Sequence, residues 1–453
     1  MKAGVSIRCI TPPQGLELAG YPHYPRNNTG AHDPLYAACM YLENAGSPAV
    51  MITLDLLFFS KKHAAEVRRR ALERCGIPAE RIMISCSHTH SGPWAAGRLD
   101  IESLEAGKKQ PAEYVEFLIA TLTEMIAEAK EGAFDAEFCA TTGLCGAESG
   151  VGGNRRIPGG PHDPLVSVLA VREAGSKTVR GIFVNYTLHP TFIHEWSNVC
   201  SADYPCYLRL EVTGQFPGTV FGFSQGASGN QSSRYYRKGE SFDEAERVGR
   251  VLGRCACDAL RKGEWLGEIE ISAVSDTLPI TQRDFGTEEE LLEKVAHDEA
   301  VYKDLWARYG TSTKREEYYL WQEANLKLLG SEDQLGYVRL AKKGIPLELL
   351  VDEDPAEVQI FRLGPACVIG VPGEFFVEYA LYLKAMAGYR TVVFNELTNG
   401  CLPGYNYTPE SLVTGGYETD TSTLSADFGQ KVVAKALELI LTLPAKCGTM
   451  QNG

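Results

Sequence analysis

Three histidines stand where apolar runs end. His88 and His90 flank Thr89 in SCSHTHSGP, directly behind RIMIS, and His189 closes the run in GIFVNYTLHPT. On an extended segment, residues i and i+2 project to one face. Two imidazoles of an H-x-H can then reach one ion at the ~2.0–2.1 Å of a Zn–N bond. With His189 they complete the three nitrogen ligands of a hydrolytic zinc site, whose remaining position takes water. Such an ion lowers the pKa of bound water from about 15.7 to ~7 and provides a nucleophile at neutral pH. Plainer readings stand beside this one: an H-x-H pair can be solvated, and His189 alone reads as a satisfied buried histidine.

Other segments carry residues able to join such a site. VIGVPGEFF ends a buried run and presents Glu374, equally readable as a carboxylate at a helix N-terminus. TPESLVTGGYETDTST offers Tyr417 behind a glycine pair, otherwise an ordinary packed tyrosine. His23, His32, His162 and His194 lie in loops and read as structural or substrate-side groups. Asp55 and Asp203 are proton-handling or supporting carboxylates, or simply strand-end and turn acids. VFGFSQGASGNQ contains G-x-S-x-G around Ser224, the pattern of a nucleophile elbow. An elbow needs a helix at once behind its serine, whereas GASGNQSSRYYRKGES is a loop and helix is expected only near Phe242. Beyond Ser224 the only histidine is His297, inside the charged EEELLEKVAHDEAV. A metal-independent serine esterase using Ser224 therefore stands as the alternative.

These residues need a scaffold, and 453 residues at 44% hydrophobic and 23% charged leave room for a large core. Apolar strand-like runs (AVMITLDLLFF, RIMISCS, LVSVLAVRE, VRGIFVNYTL, TVFGF) alternate with amphipathic helical ones (HAAEVRRRALERCG, PAEYVEFLIATLTEMIAEAKEG, FDEAERVGRVLGRCACDALRKG). Further strands (AEVQIFRLGPACVIGVPG, TVVFNELTNG) and helices (FVEYALYLKAMAG, DFGQKVVAKALELILTLP) follow. The pattern predicts an α/β fold of mixed β-sheets flanked by helices, organised as one domain over residues 1–445. Within it, residues 287–343 are charged and helical and read as an inserted helical hairpin that shapes the pocket or an interface. Arg68, Arg69 and Arg70 read as a solvated helix face.

Net charge −14 repels nucleic acid and anionic membrane surfaces. No apolar run reaches the ~20 residues of a transmembrane helix. MKAGVSIRCITPP lacks the apolar core of a signal peptide, which points to the cytoplasm, or to secretion had a leader been removed. Thirteen cysteines without a C-x-x-C read as reduced core thiols.

H-T-H-S-G-P, N-x-x-x-H-P-T, P-G-E and the late G-Y-E follow one another in an order that resembles the neutral/alkaline non-lysosomal ceramidase family. ITPPQGLELAGY, GGNRRIPGGPHDPLVSVL and SADYP extend the resemblance from about Gly4 to Thr423. It implies a zinc ion held by His88, His90, His189, Glu374 and Tyr417, one per chain, and hydrolysis of a linear amide. The family's loop serine falls on Ser232, and the arginine of its N-R segment, a substrate or oxyanion contact, on Arg155. Asp203, Asp55 and Ser232 would handle protons or support the ligands. The chain departs from the family pattern at Asn230, for an aspartate, and at Ser233, for a proline. The family's further β-sandwich domain and secretory leader are not visible in this sequence. The implied substrate is a small-molecule or lipid N-acyl compound, not necessarily ceramide. A non-catalytic, metal-containing binding protein on the same scaffold is the other reading, to which Asn230 and Ser233 lend support.

Overall fold

The computed structural model describes residues 1–21, 23–95, 111–345 and 354–443. Eight strands build the larger sheet: β1 (Lys2–Cys9), β2 (Tyr36–Asn44), β3 (Ser47–Leu54), β4 (Ile82–Cys86), β5 (Phe134–Leu144), β6 (Leu165–Glu173), β7 (Val179–Tyr186) and β8 (Val220–Gln225). Their spatial order is β4-β3-β2-β1-β5-β6-β7-β8. A second sheet places β9 (Ile271–Leu278), β10 (Ala356–Leu363), β11 (Ala366–Gly370) and β12 (Thr391–Asn395) side by side in chain order. Within these two sheets pairing is antiparallel except at three places: β3 with β4, β7 with β8, and β11 with β12 run parallel.

The period of two along each strand divides its residues between two cores. In β2, Ala37, Cys39 and Tyr41 join the core under the helices, while Ala38, Met40 and Leu42 face the other sheet. Phe138, Phe183, Phe361 and Val393 meet in that inter-sheet layer. Helices α1 (Lys61–Cys75), α2 (Ala112–Glu131), α3 (Tyr204–Gln215) and α4 (Phe242–Arg261) cover the outer face of the larger sheet. Two helices within 287–343, α5 (Glu288–Tyr309) and α6 (Arg315–Lys342), pack on each other. Helices α7 (Val377–Met386) and α8 (Phe428–Thr442) cover the second sheet. The architecture is thus helix, sheet, sheet, helix: mixed sheets flanked by helices. Strands such as β3, β4 and β11 are buried on both faces, which is why they read as nearly continuous apolar runs.

Local departures from the sequence reading have physical causes. AVMITLDLLFF ends its strand at Leu54 because the buried Asp55 turns to accept the Tyr36 N–H (2.9 Å) and an Arg209 N–H (2.7 Å). Gly330 lies inside α6, where a Cβ would lie 2.5 Å from that of Asp420, so the glycine serves close packing within the helix. Among the described residues no helix is long and apolar enough to cross a membrane, and no disulfide forms. The arginine triplet is not uniformly solvated. Arg69 and Arg70 pair with glutamates at the surface, but Arg68 is buried and joins the two sheets. Its guanidinium donates to the Ile82 carbonyl, to Glu357 at 2.7 Å and to Gln359 at 3.2 Å.

Breaking a buried ion pair costs ~3–5 kcal/mol, whereas an exposed one contributes ~0–1 kcal/mol. Arg68→Ala is therefore expected to lower the denaturant midpoint markedly and Arg69→Ala hardly at all. Equal effects in a urea titration would contradict the assignment of Arg68 as a link between the sheets.

Candidate metal centre

Each parallel strand pair sends a polar residue from the carboxyl end of one strand toward a common point, the place where ligands bind in α/β sheets. His88 and His90 follow β4, His189 follows β7, and Glu374 follows β11. The neighbouring strand of each pair supplies a support. Behind β3, the Leu57 carbonyl faces His88 Nδ1 at 3.3 Å. Behind β8, the Ser228 carbonyl accepts from His189 Nδ1 at 2.7 Å. Behind β12, the buried Glu396 accepts the Phe375 N–H at 2.8 Å and the Ser228 hydroxyl, tying the Glu374 loop to the His189 support.

With Nδ1 donating to a carbonyl, each of these imidazoles turns an unprotonated Nε2 inward. His88 Nε2 lies 3.1 Å from His189 Nε2 and 3.4 Å from His90 Nε2. Glu374 Oε2 lies 3.3 Å from the first and 3.1 Å from the second. Lone pairs facing one another at these distances repel unless a cation stands between them. Ligands at about 2.0–2.1 Å from a tetrahedral ion are separated by about 3.3–3.4 Å, so the spacing fits a zinc-sized divalent ion. Two of the imidazoles are also kept neutral. Burial first, and the Arg155 charge next, bring His189 down to about 4. Burial and the neighbouring His88 and His189 put His90 well below its ordinary range.

The H-x-H does not converge by strand alternation. Strand β4 ends at Cys86, and His88 takes a left-handed backbone with φ +68°. The turn, not the pleat, aims the two rings at one point. Such a conformation is uncommon for non-glycine residues and is held here by bonds such as His88 N–H to Leu56 O at 2.9 Å. His90 is pressed from outside by Gly20 (φ +101°), where a Cβ would lie 2.6 Å from the ring. Arg26 pins the same place by donating to the Ala19 and His90 carbonyls. This gives the ITPPQGLELAGY segment a role the sequence left open.

The ligands open into a cavity of about 260 Å³, at the small end for small-molecule sites (~300–1,000 Å³). Arg155, Ser232, Tyr405 and Tyr417 line it, and α6 contributes Gln322, Asn325, Leu326, Leu329 and Asp333 from one face. Arg155 is buried and fixed by Glu418 (2.7 Å) and the Gly229 carbonyl (2.7 Å), and it lies over the Tyr405 ring at 5.4 Å. Arg156 takes the second Glu418 oxygen at 2.6 Å. Burial opposes the charge on Glu418, but Arg155, Arg156 and Arg234 overcome it and hold the carboxyl at about 2. The Tyr417 ring centre is 6.1 Å from that of Tyr405, which pairs with Glu374 in a short parallel ribbon. Ser232 Oγ accepts the Arg234 N–H at 3.2 Å.

Other residues singled out from the sequence lie elsewhere. Asp203 (φ +61°) does not line the cavity; its carboxylate accepts the Phe192, Ile193 and Tyr204 N–H groups and fixes the chain behind His189. Burial raises it to about 7. Ser224 lies between the sheets, donating to Asn395 at 2.8 Å, and no histidine is among its hydrogen-bond partners. His194 lines the cavity and meets Arg237 at 2.8 Å, whereas His32 stacks on Phe242 at 3.6 Å and His23 is 3.9 Å from Asp333. Asn230 accepts the Val377 N–H at 2.9 Å and donates to Glu378 at 2.8 Å, so the amide is satisfied at the start of α7. Ser233 is buried, and its Oγ has no hydrogen-bond partner. Glu396, Tyr405 and Arg234 were not singled out from the sequence. Glu396 alone carried a readable signal, an acid placed directly behind the apolar run TVVFN.

No protein-family model and no curated protein matches this chain. Solved structures do. Neutral ceramidase from Pseudomonas aeruginosa aligns over 100% of this chain and 76% of its own length, with a TM-score of 0.72 at 20% identity. A ceramidase complexed with C2 aligns over 100% and 77%, with a TM-score of 0.72 at 18% identity. Over its whole length, with the three histidines converging at the strand ends, the chain has the neutral ceramidase fold.

Proposed function

We propose that this protein is a zinc-dependent hydrolase of linear amides, cleaving an N-acyl bond, with His88, His90, His189, Glu374 and Tyr417 as the metal's ligands. The convergence of three imidazole nitrogens within 4.8 Å of one another, with a carboxylate oxygen 3.1–3.3 Å from two of them, carries the reading. The likeness to ceramidases, one of them complexed with C2, supports an amide as the bond cleaved. Zinc bound there supplies a nucleophilic water near neutral pH and polarises the carbonyl it faces.

The chain's own residues do the rest. Arg155, immobilised by Glu418 and Gly229, presents a preorganised cation where charge develops on the carbonyl oxygen. Tyr405 keeps its phenol proton, because burial and then the charge of Glu374 raise its pKa well above the ordinary range. It can donate to the same oxygen. Ser232 accepts from a backbone N–H, which leaves its hydroxyl proton to orient the amide. Asp203 acts as a positioning residue through the loop behind His189.

Chelation is expected to abolish hydrolysis of N-acyl substrates and added zinc to restore it. His90→Ala should lower kcat/KM by ~100-fold or more, the scale of losing a transition-state contact, while Ser224→Ala retains activity. Turnover that survives chelation and is lost in Ser224→Ala would establish the serine esterase instead. A second prediction concerns acid. The folded pKa of Glu418, about 2, lies below the ordinary 4.5, so its contribution to stability is complete above about 4.5 and fades as pH falls toward about 2. Urea midpoints of Glu418→Gln measured against pH should lack that part of the slope. Parallel profiles for the two proteins would contradict the assignment.

A further inference from the structure

The cavity contains a cation whose head makes no direct ion pair among the described residues, although the Glu418 carboxylate, shared by Arg155 and Arg156, acts on it from a distance. Arg234 lines it near Arg155, and among the described residues its guanidinium makes no hydrogen bond and no ion pair. The neighbouring arginines are all satisfied. Arg155 and Arg156 occupy the two oxygens of Glu418, and Arg237 donates to Glu240 and to the Thr191 carbonyl. Burial and the charge of Arg155 both disfavour the charged form of Arg234, so holding it there is unfavourable in the free protein. Its backbone is nevertheless anchored. The N–H donates to Ser232 Oγ, and the carbonyl accepts from Arg315 (2.8 Å) and from the Tyr319 hydroxyl, both on α6. The cavity-lining carboxylates Glu195 and Asp333 face histidines instead, His194 at 3.2 Å and His23 at 3.9 Å.

Resting on the amide-hydrolase reading above, we propose that Arg234 is the specificity-determining residue of the site and holds a carboxylate on the substrate, which makes the substrate an N-acyl amino acid. A guanidinium fork matches a carboxylate in two parallel hydrogen bonds, and such charge-assisted pairs are the strong ones. An amide with a neutral hydroxylated amine part would leave the half-buried cation without a direct partner, and sites built for a polar partner reject analogues that lack it. The amino acid's carboxylate sits two bonds from the scissile nitrogen, so one ligand spans the ligand cluster and Arg234 within the same small cavity. Gln322 and Asn325, on the helix that anchors Arg234, add polar contacts to this side.

The test uses the zinc-loaded protein and N-octylsulfonyl-alanine with its carboxamide, amide analogues that resist hydrolysis and differ only in the carboxylate. By calorimetry the acid should bind ~10-fold or more tightly than the carboxamide, the scale of a hydrogen-bonded charge. Arg234→Gln should erase that preference, and Arg234→Lys, which keeps the charge without the fork, should retain part of it. Equal affinities in the wild type, or a preference that persists in Arg234→Gln, would overturn the assignment. Turnover of N-octanoyl-alanine and its carboxamide is read separately. A binding preference without hydrolysis would sink the hydrolase reading and leave Arg234 as a carboxylate site. Equal hydrolysis of both without a binding preference would do the reverse.

Discussion

Three imidazole nitrogens within 4.8 Å of one another, with a carboxylate oxygen 3.1–3.3 Å from two of them, repel, and much of this fold is arranged to keep them there. The three parallel strand pairs do it in a shared way. One strand of each pair releases a converging side chain at its carboxyl end, and the adjacent strand releases the group that fixes it: Leu57 for His88, Ser228 for His189, Glu396 for the Glu374 loop. Two of these pairs belong to the larger sheet and one to the smaller, so the site depends on both sheets stacking in register. The inter-sheet layer of Phe138, Phe183, Phe361 and Val393 is the apolar contact that sets this register. Arg68, reaching from α1 to β10, reinforces it at the sheet edge.

Local strain and buried charge gather around the same point. His88 and Asp203 both hold left-handed backbone, one aiming a ligand and the other fixing the chain behind one. Both persist because several hydrogen bonds over-determine them. Arg155, Arg156 and Glu418 form a buried charged unit whose geometry is fixed before any substrate arrives, the arrangement that electrostatic stabilisation of a developing charge requires. Arg234 is the exception, anchored through its backbone and unpaired at its tip. In this account substrate charge completes it.

The sequence made the class of fold and most of the ligand cluster legible, for different reasons. Strands buried on both faces give apolar runs of unmistakable length, as LVSVLAVRE does for β6, and glycine ends α1 where expected. Strands β1 and β2 went unread because KAGVSIRC and YAACMYLEN mix small and polar residues whose partners are distant in sequence. The helical character of residues 287–343 was legible, but the packing that demands a glycine at position 330 comes from Asp420, ninety positions along, and was not. His88, His90 and His189 were visible from their place at strand ends, although the geometry that unites the first two is a left-handed turn rather than an extended segment. Ser224 matched a five-residue pattern, but its hydroxyl faces Asn395 between the sheets, a placement no local motif encodes. Glu396 carried a signal as an acid directly behind TVVFN, whereas Arg234 became visible only in the folded cavity.

The most direct measurement of the central claim is anomalous diffraction at the zinc absorption edge from crystals grown with zinc. One strong peak is expected about 2.0–2.1 Å from the Nε2 atoms of His88, His90 and His189, with the Glu374 carboxylate at a similar distance. A zinc-replete crystal without a peak among these residues, or with its peak on other side chains, would contradict it.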